Sequence, residues 1–295
     1  MQYRLSIAGE GVPATLADKV DGVGLLRSEY LLRRRDQHIT SRETQDDVQK
    51  YLELIASQFF PKPVWYRCVD LWSDEANSLD GNDLELDEPN PLVGCRGLRR
   101  SIKTPETFLV ELSVLTEVAQ SWPNLHVLFP FVGDVQEFQQ GLRYLDAVKW
   151  TNRIGTMLEI PAAILGVTGF IKAGASNLLI GLNDLTSLML GAERGRGHDD
   201  KLHQAVWWCV EHVRDQVGAT TEWGLAGNMD SAILTRAREA NVPYVTIHYF
   251  QAPDLLGVAA EDVPDVDFVR NTKVKTRKRI KDYHVRKLTT ERSGM

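Results

Sequence analysis

Arginine and acidic side chains stand at the ends of several short apolar runs in this sequence. Arg27 directly follows one run, and Arg67 lies near the end of another. Glu159 closes a third run, and Asp184 stands two residues after a fourth. Guanidinium groups bind phosphate and carboxylate oxygens in bidentate fashion, and carboxylates are hard oxygen ligands of the kind that Mg²⁺ prefers. If the fold brings these side chains together, they can bind a small, multiply anionic molecule and a metal ion.

Eight apolar runs predict the strands that would position these side chains. The runs are residues 3–8, 22–26, 64–69, 126–131, 154–159, 178–182, 223–226 and 244–248. Longer stretches of helical character lie between them, including residues 44–59, 105–120, 135–148 and 202–217. Alternation of strand and helix favours a parallel sheet, and eight such units in about 250 residues are typical of a TIM barrel. We therefore predict an α/β fold, a (β/α)8 TIM barrel.

A doubly wound open sheet is the main alternative to the barrel. Such sheets carry a glycine-rich phosphate loop after their first strand, and residues 9–11 do not form that motif. Residues 71–96 are rich in Asp, Glu, Asn and Pro, which predicts a long loop after the third strand. We divide the chain into a barrel, residues 1–268, and a basic C-terminal tail, residues 269–295.

Composition and charge narrow the class of protein. The chain has 295 residues, of which 43% are hydrophobic and 25% charged, and no apolar run reaches the roughly 18 residues of a membrane span. Three cysteines and a start without a signal sequence favour the cytoplasm. From residue 270 onwards, ten Lys or Arg residues against Asp282 and Glu291 give the tail a charge of +8 and leave −14 on the rest. Such a tail can contact a partner or fold back on the acidic body, and without a binding motif nucleic acid is not an expected partner.

Further polar residues follow the predicted strands, and each one alone has an ordinary structural explanation. They include Asp70, Asn183 and His248, with Arg96 and Arg99 after the long loop and Arg194 after the sixth strand. A single arginine here is usually a surface ion pair, Glu159 can favour a helix entry at Pro161, and Asp184 can be an N-cap. The constellation favours a site, because converging charges must be compensated by one another or by a ligand.

Five blocks of the sequence resemble the phosphoenolpyruvate-binding barrel of the PEP-utilising enzymes. That family contains Enzyme I of the sugar phosphotransferase system, pyruvate phosphate dikinase and phosphoenolpyruvate synthase. The blocks are residues 21–30, 67–70, 90–99 and 129–131, and a fifth made of 155–163 with 180–186. Their order and spacing span nearly the whole predicted barrel.

The resemblance implies a role for each matching position. Arg27 and Arg67, with Arg96, hold the transferred phosphoryl group, Asp70 supports these arginines, Asn183 contacts phosphate or carboxylate, and Arg194 binds the substrate carboxylate. Glu159 and Asp184 correspond to the ligands of Mg²⁺, which the resemblance implies as the cofactor. A metal between phosphate and enolate oxygens neutralises the charge that develops during phosphoryl transfer, while arginines position the group.

Two departures from the family pattern bear on the reaction. In the family, a cysteine after the seventh strand protonates the enolate carbon, and here Ala226 stands at that position with Asn228 in place of a glutamate. Alanine cannot donate a proton, so His248 becomes the candidate for a replacement, against the alternative of a structural histidine. Family members also carry a phosphorylatable histidine on another domain, so we expect any phosphoryl relay to use a separate phosphohistidine-carrying protein.

Three hypotheses about function follow. The first is a phosphotransferase-type barrel that binds phosphoenolpyruvate, pyruvate or a related 2-oxo acid with Mg²⁺ and works with the phosphohistidine carrier. The second is a metal-enolate lyase or aldolase-like enzyme, in which an enolate that is not protonated attacks another electrophile. The third is a non-catalytic binding or regulatory subunit with the basic tail as a docking arm. The resemblance also implies a homodimer, and no membrane partner is expected.

Overall fold

A closed barrel of parallel strands forms the centre of the protein. The computed structural model describes residues 1–193, 200–264 and 267–293. In the described chain, each strand pairs with the next and the last returns to pair with the first. The strands are Gln2–Ile7 (β1), Val23–Arg27 (β2), Val64–Arg67 (β3), Leu125–Phe129 (β4), Ile154–Leu158 (β5), Asn177–Gly181 (β6), Glu222–Ala226 (β7) and Tyr244–His248 (β8). The predicted TIM barrel is confirmed, and every predicted run overlaps one strand with ends shifted by two residues or fewer.

Helices surround the barrel. They are Ala14–Lys19 (α1), Glu29–Arg35 (α2), Arg42–Phe59 (α3), Ser73–Asn77 (α4), Leu98–Lys103 (α5), Pro105–Ser121 (α6), Val135–Ala147 (α7), Pro161–Leu165 (α8), Val167–Lys172 (α9), Leu182–Leu190 (α10), Gln204–Gln216 (α11), Ser231–Glu239 (α12), Ala252–Leu256 (α13) and Asp267–Ser293 (α14). The four predicted helices correspond to α3, α6, α7 and α11. Sequence periodicity did not reveal the short helices, because five or six residues are too few to show a repeat.

The alternation of side chains along each strand divides the core into two parts. Side chains on the outer face, such as Leu26 and Ile247, pack between the strands and the surrounding helices. A smaller apolar cluster fills the inside of the barrel and consists of Leu25, Trp65, Leu128, Met157, Leu179, Ala226 and Tyr244. Charged groups lie above this cluster at the carboxyl ends of the strands and below it at the opposite end. The barrel interior is therefore a packed layer between two polar ends, as expected for this fold.

The long segment after β3 leaves the barrel and returns at Gly97. It begins with α4 and continues without another named helix or strand to Gly97, in agreement with the long loop predicted for residues 71–96. Gly97 has a φ of +57°, and a Cβ there would lie 2.6 Å from the carbonyl oxygen of Pro130. The amide of Leu98 donates to that same oxygen at 3.0 Å. Only glycine permits this close return, which fixes Arg96 beside the carboxyl end of the barrel.

The basic segment at the end of the chain forms α14 and lies on acidic groups of its own chain. Thr272 and Thr276 are buried where α14 packs on α2 and α4. Asp36 at the end of α2 pairs with Lys275 at 2.6 Å and also with Arg279. Of the alternatives for this segment, the structure shows the fold-back on the acidic body.

Two further findings concern composition. The described parts of the chain contain no helix that combines the length and apolar character of a membrane span. Cys68, Cys95 and Cys209 are all buried and free. No disulfide framework therefore supports the fold.

Candidate functional site

A buried network of charges lies at the carboxyl end of the barrel. Asp70 accepts two hydrogen bonds from Arg96, at 2.9 Å from Nε and 2.5 Å from Nη2, and lies 3.3 Å from Nη1 of Arg67. Arg96 reaches Asp184 of α10 at 3.5 Å, and Arg67 pairs with Glu29 of α2 at 2.5 Å. All five residues are at most 8% exposed. The network joins residues from four separate parts of the sequence, which is what the strand-end pattern predicted.

The carboxylate of Glu159 is placed directly after β5 by contacts on both sides. Its Oε2 accepts a hydrogen bond from the amide of Phe131 at 3.0 Å. Phe131 has a φ of +49°, an unusual value for a non-glycine residue. A Cβ at Gly181 would lie 2.7 Å from Oε1 of Glu159, so the glycine on the neighbouring strand leaves space for the carboxylate. The strained backbone of Phe131 and the absence of a side chain at Gly181 together fix the position of the Glu159 carboxylate.

The surroundings of the site shift the pKa values of two of its carboxyl groups in opposite directions. Burial, together with the negative charges of Asp184 and Asp70, raises the pKa of Glu159 to about 8, against the opposing effect of Arg67 and Arg96. Burial also disfavours the charged form of Asp70, but Arg96 and Arg67 outweigh it and hold the pKa of that carboxyl below its usual value. Asp70 is therefore an ionised partner of the arginines, whereas Glu159 lies among carboxylates that repel its charge.

Arg27 differs from the other arginines at the barrel mouth. Its guanidinium carbon lies 4.9 Å from the centre of the Tyr30 ring. Within the described ranges it makes no ion pair, and its buried Nε has no hydrogen-bond acceptor. Nε of Arg67 is buried without an acceptor as well. Arg27 and Arg67 thus retain N–H donors for a bound anion, and no described residue forms with Arg27 the surface ion pair considered as the alternative.

His248 ends β8 near Arg27. Its ring stacks on Phe250, with the centroids 5.1 Å apart and the planes at 10°. Burial, with the positive charges of Arg27 and Lys273, lowers the pKa of His248 to about 3. The imidazole is thus neutral near pH 7 and can make hydrogen bonds, but it does not carry an imidazolium proton to release. A catalytic role for His248 stays a prediction.

The end of β7 is apolar at the position of the family cysteine. Ala226 is 4% exposed, belongs to the apolar cluster inside the barrel and lies in register with Thr246 of β8. Asn183, half-buried in the first turn of α10, faces the chain after β7, because a Cβ at Gly227 would lie 3.8 Å from its Oδ1. No hydrogen bond joins Asn183 to the network among the described residues. Its contact with a ligand stays a prediction.

The remaining site residues differ in how the structure places them. Arg194 lies outside the described residues, so its predicted role stays a prediction. Asp184 is in the first turn of α10 and not its N-cap, which is Gly181. Glu29 was not predicted as the partner of Arg67, although it stands two residues after Arg27. Glu111 was not predicted either, and it accepts hydrogen bonds from Tyr66 Oη at 2.9 Å and the amide of Val69 at 2.8 Å. A carboxylate on an amphipathic helix gives no signal that it faces inwards.

The donor set at the mouth fits a divalent cation that takes part of its coordination from a ligand or water. In the described ranges, no group of three or more His, Cys, Asp or Glu side chains could hold a metal alone. Glu159 and Asp184 are two oxygen donors, and the repulsion that raises the pKa of Glu159 would be relieved by a bound cation. Mg²⁺ typically uses one or two protein carboxylates and completes its octahedron with substrate phosphates and water.

Comparison with known proteins agrees with this geometry. The family model of the PEP-utilising enzyme, PEP-binding domain, matches residues 9–232. That range covers every strand except β1 and β8 and contains all the carboxylates and arginines of the network.

The relatives found by sequence are longer proteins, and only a part of each one matches this chain. Phosphoenolpyruvate synthase of Pyrococcus furiosus is 32% identical over 217 residues, which cover 67% of this chain and 26% of that protein. Phosphoenolpyruvate-protein phosphotransferase of Bacillus sp. (strain S) is 29% identical over 237 residues, which cover 75% of this chain and 39% of that protein. A solved HpcH/HpaI aldolase/citrate lyase family protein from Burkholderia cenocepacia J2315 matches with a TM-score of 0.44 and 15% identity over 69% of this chain and 74% of its own. The chain thus spans about a quarter to two fifths of the length of the two sequence relatives.

Proposed function

Because this chain belongs to the family of PEP-utilising enzymes through their PEP-binding domain, we propose that it binds phosphoenolpyruvate or a related 2-oxo acid together with Mg²⁺. The proposed activity is phosphoryl transfer between phosphoenolpyruvate and a phosphohistidine on a separate protein. The two relatives named as phosphoenolpyruvate synthase and phosphoenolpyruvate-protein phosphotransferase support this class of reaction.

The absence of an ion pair at Arg27 among the described residues is the observation that carries the proposal. Arg67 and Arg96 are balanced by Glu29 and Asp70, but Arg27 makes no ion pair with any described residue. A half-buried guanidinium at a barrel mouth is best compensated by an anion. We assign the phosphoryl group to the donors of Arg27 and Arg67, with Asp70 holding Arg67 and Arg96 in place.

We assign Mg²⁺ to Glu159 and Asp184. When bound, the ion supplies charge neutralisation between phosphate and enolate oxygens. The residues of this chain hold the ligand and keep the arginines oriented, and the hydrogen bond from the amide of Phe131 fixes the carboxylate of Glu159. Asn183 and Arg194 are proposed contacts for the substrate carboxylate or phosphate.

The alanine at the end of β7 favours a second candidate function. Ala226 offers no proton to an enolate. An enolate that persists at the site can attack an aldehyde or acyl acceptor, as in a lyase or aldolase. This candidate would be rejected if no 2-oxo acid reacted with any acceptor of these classes.

Calorimetric titration tests the proposed function. The purified chain is titrated with phosphoenolpyruvate, pyruvate and oxalate, an enolate mimic, with and without Mg²⁺. We expect binding that requires Mg²⁺ and disappears in Asp184→Ala. Absence of binding for all three compounds would contradict the proposed ligand class while leaving the fold unaffected. Incubation of bound phosphoenolpyruvate with phosphohistidine-carrier proteins then tests transfer.

A further inference from the structure

A second cluster of buried polar groups lies at the opposite end of the barrel, below its apolar layer. The guanidinium of Arg4 on β1 stacks 4.0 Å from the centre of the Tyr244 ring and pairs with Glu222 on β7. Glu222 also accepts from Arg153 at 3.2 Å, and the Arg153 guanidinium lies 5.1 Å from the Trp65 ring.

Two further inward side chains complete this cluster. The ring of His126 lies 4.8 Å from that of Trp65. Asn177 accepts a hydrogen bond from Tyr244 Oη at 2.9 Å. The cluster, which we call the barrel floor, consists of Arg4, Trp65, His126, Arg153, Asn177, Glu222 and Tyr244, and none of these residues belongs to the site at the mouth.

The barrel floor contains buried donors that no described residue satisfies. They are Nε and Nη1 of Arg4, Nε1 of Trp65 and Nδ2 of Asn177. Arg4 is 3% exposed, and Trp65 and Asn177 are fully buried. An indole N–H and a guanidinium can only donate, and an unsatisfied buried donor is costly. These groups therefore require an acceptor that does not come from the described chain.

The barrel floor also carries more positive than negative charge. Burial disfavours ionisation of Glu222, but the hydrogen bond and charge of Arg4, with Arg153, lower the pKa of this carboxyl and keep it ionised. Burial and the charge of Arg153 lower the pKa of His126 to about 4, which leaves its ring neutral near pH 7. Arg4 and Glu222 form a partly buried pair, and the partly exposed Arg153 brings the net charge of the cluster to +1. One monovalent anion would balance that charge and accept the free N–H groups at once.

We propose that the barrel floor binds a small monovalent inorganic anion of the halide type, held by Arg4, Trp65 and Asn177. Entry is by the rim where Arg153 and Glu222 are partly exposed beside residues 217–221. Water is the weaker occupant, because the open buried atoms of the cluster in the described structure are four donors against one nitrogen, Nδ1 of His126, that can accept a proton from water. The anion closes the lower end of the barrel and binds independently of the ligand at the mouth.

Thermal unfolding of the full chain in chloride and in gluconate, at equal ionic strength, tests this site. Gluconate is a much larger anion than chloride. We expect chloride to raise Tm by about 4 °C with a saturating dependence on concentration. Trp65→Phe keeps an aromatic side chain but lacks the indole N–H, so the chloride concentration for half of the effect should rise about tenfold. Arg4→Gln should abolish the effect, whereas Arg143→Gln, at an exposed arginine of α7, should leave it unchanged.

A crystal structure with bromide locates the anion directly. We expect anomalous density within hydrogen-bond distance of Arg4 and Trp65. Equal Tm values in the two salts would overturn the proposal, as would an unchanged chloride dependence in Trp65→Phe or a water at the position of the anion. Because the two salts are compared within each variant and Trp65→Phe keeps an aromatic side chain, the test does not depend on the folding of Arg4→Gln.

Discussion

Gly181 on β6 lies against the side chain of Glu159, which follows β5. A Cβ at Gly181 would be 2.6 Å from Cγ and 2.7 Å from Oε1 of Glu159. The carboxylate is held from the other side by the amide of Phe131. A residue without chemistry of its own therefore decides where the proposed metal ligand points.

Gly181→Ala should weaken ligand binding that depends on Mg²⁺. The added methyl group has to displace the Glu159 carboxylate, and misplacing a metal-supporting group typically costs about 10- to 100-fold in affinity. Calorimetry with oxalate and Mg²⁺ measures the change. Gly218→Ala is the matched control, because a Cβ there meets nothing within 4 Å. Equal affinities in the two variants would show that Glu159 does not need its present position.

The affinity for Mg²⁺ should depend on pH through Glu159. The metal needs the carboxylate, and the pKa of Glu159 is raised to about 8, so protons compete with the ion below that pH. Apparent affinity should rise about tenfold per pH unit from pH 6 to 8 and level off above, with one proton released on binding. Calorimetry in buffers of different ionisation enthalpy counts that proton. A flat profile from pH 6 to 9 would show that Glu159 is already ionised or does not bind the metal.

The sequence identified the barrel and most of the network because each depends on local patterns. Strand ends in a parallel barrel share one face, so Arg67, Glu159 and Asp184 could be assigned to the mouth before their contacts were known. The pairing of charges could not be assigned in this way. Whether Arg67 binds Glu29 or an anion, and whether Arg27 has a partner, depends on distances of a few ångströms between different elements.

The barrel floor shows the same limit for residues at the other end of the strands. Arg4 and Glu222 are far apart in sequence and pair only because the barrel closes between β1, β8 and β7. From the sequence alone, a polar residue at the start of a strand is interpreted as lying at a solvent-exposed strand end. The position of the α14 segment could not be predicted for a different reason. A basic helix can bind any acidic surface, and only the folded structure shows that Asp36 is its partner.

Glu111→Gln should alter how stability depends on pH. Burial raises the pKa of Glu111 to about 7, whereas an unfolded glutamate titrates near 4.5. Between these values the unfolded chain releases a proton that the folded protein keeps, so wild-type stability falls as pH rises. Glutamine can accept the same two hydrogen bonds without this loss. The variant should match wild type at pH 4 and be more stable above pH 7 by up to about 3 kcal/mol.

Denaturant unfolding at several pH values measures the free-energy difference between Glu111→Gln and wild type. Glu117→Gln, at an exposed position of the same helix, is the control and should show no such trend. A constant difference between Glu111→Gln and wild type from pH 4 to 8 would mean that Glu111 titrates normally in the folded protein.

Arg279→Gln should loosen the segment after β3. Arg279 is 11% exposed and connects α14 to Asp36 and, at 3.0 Å, to Oγ of Ser78. Losing these contacts should cost about 1–2 kcal/mol and speed amide hydrogen exchange near Ser78 about tenfold. Arg277→Gln makes the same charge change on the exposed side of α14 and should not affect exchange. Equal exchange near Ser78 in both variants would assign α14 no role in holding this segment.

Ala226→Cys should increase proton exchange at the methyl group of bound pyruvate. Ala226 lines the barrel interior beside Thr246, at the position where the family resemblance implies a proton donor. Wild type should therefore exchange pyruvate protons with D₂O slowly, and a thiol at this position should raise the rate about 10²- to 10⁴-fold. Proton NMR of pyruvate with Mg²⁺ follows the exchange.

Ala226→Ser is the control for Ala226→Cys, because its hydroxyl is of similar size but far less acidic than a thiol. If the cysteine variant binds pyruvate and exchanges no faster than the serine variant, the position is not the proton-transfer point. Fast exchange in wild type would instead require another donor at the mouth. His248 is then the residue to test. Its lowered pKa leaves the imidazole neutral, so it would have to transfer protons through the hydrogen bonds of the neutral ring.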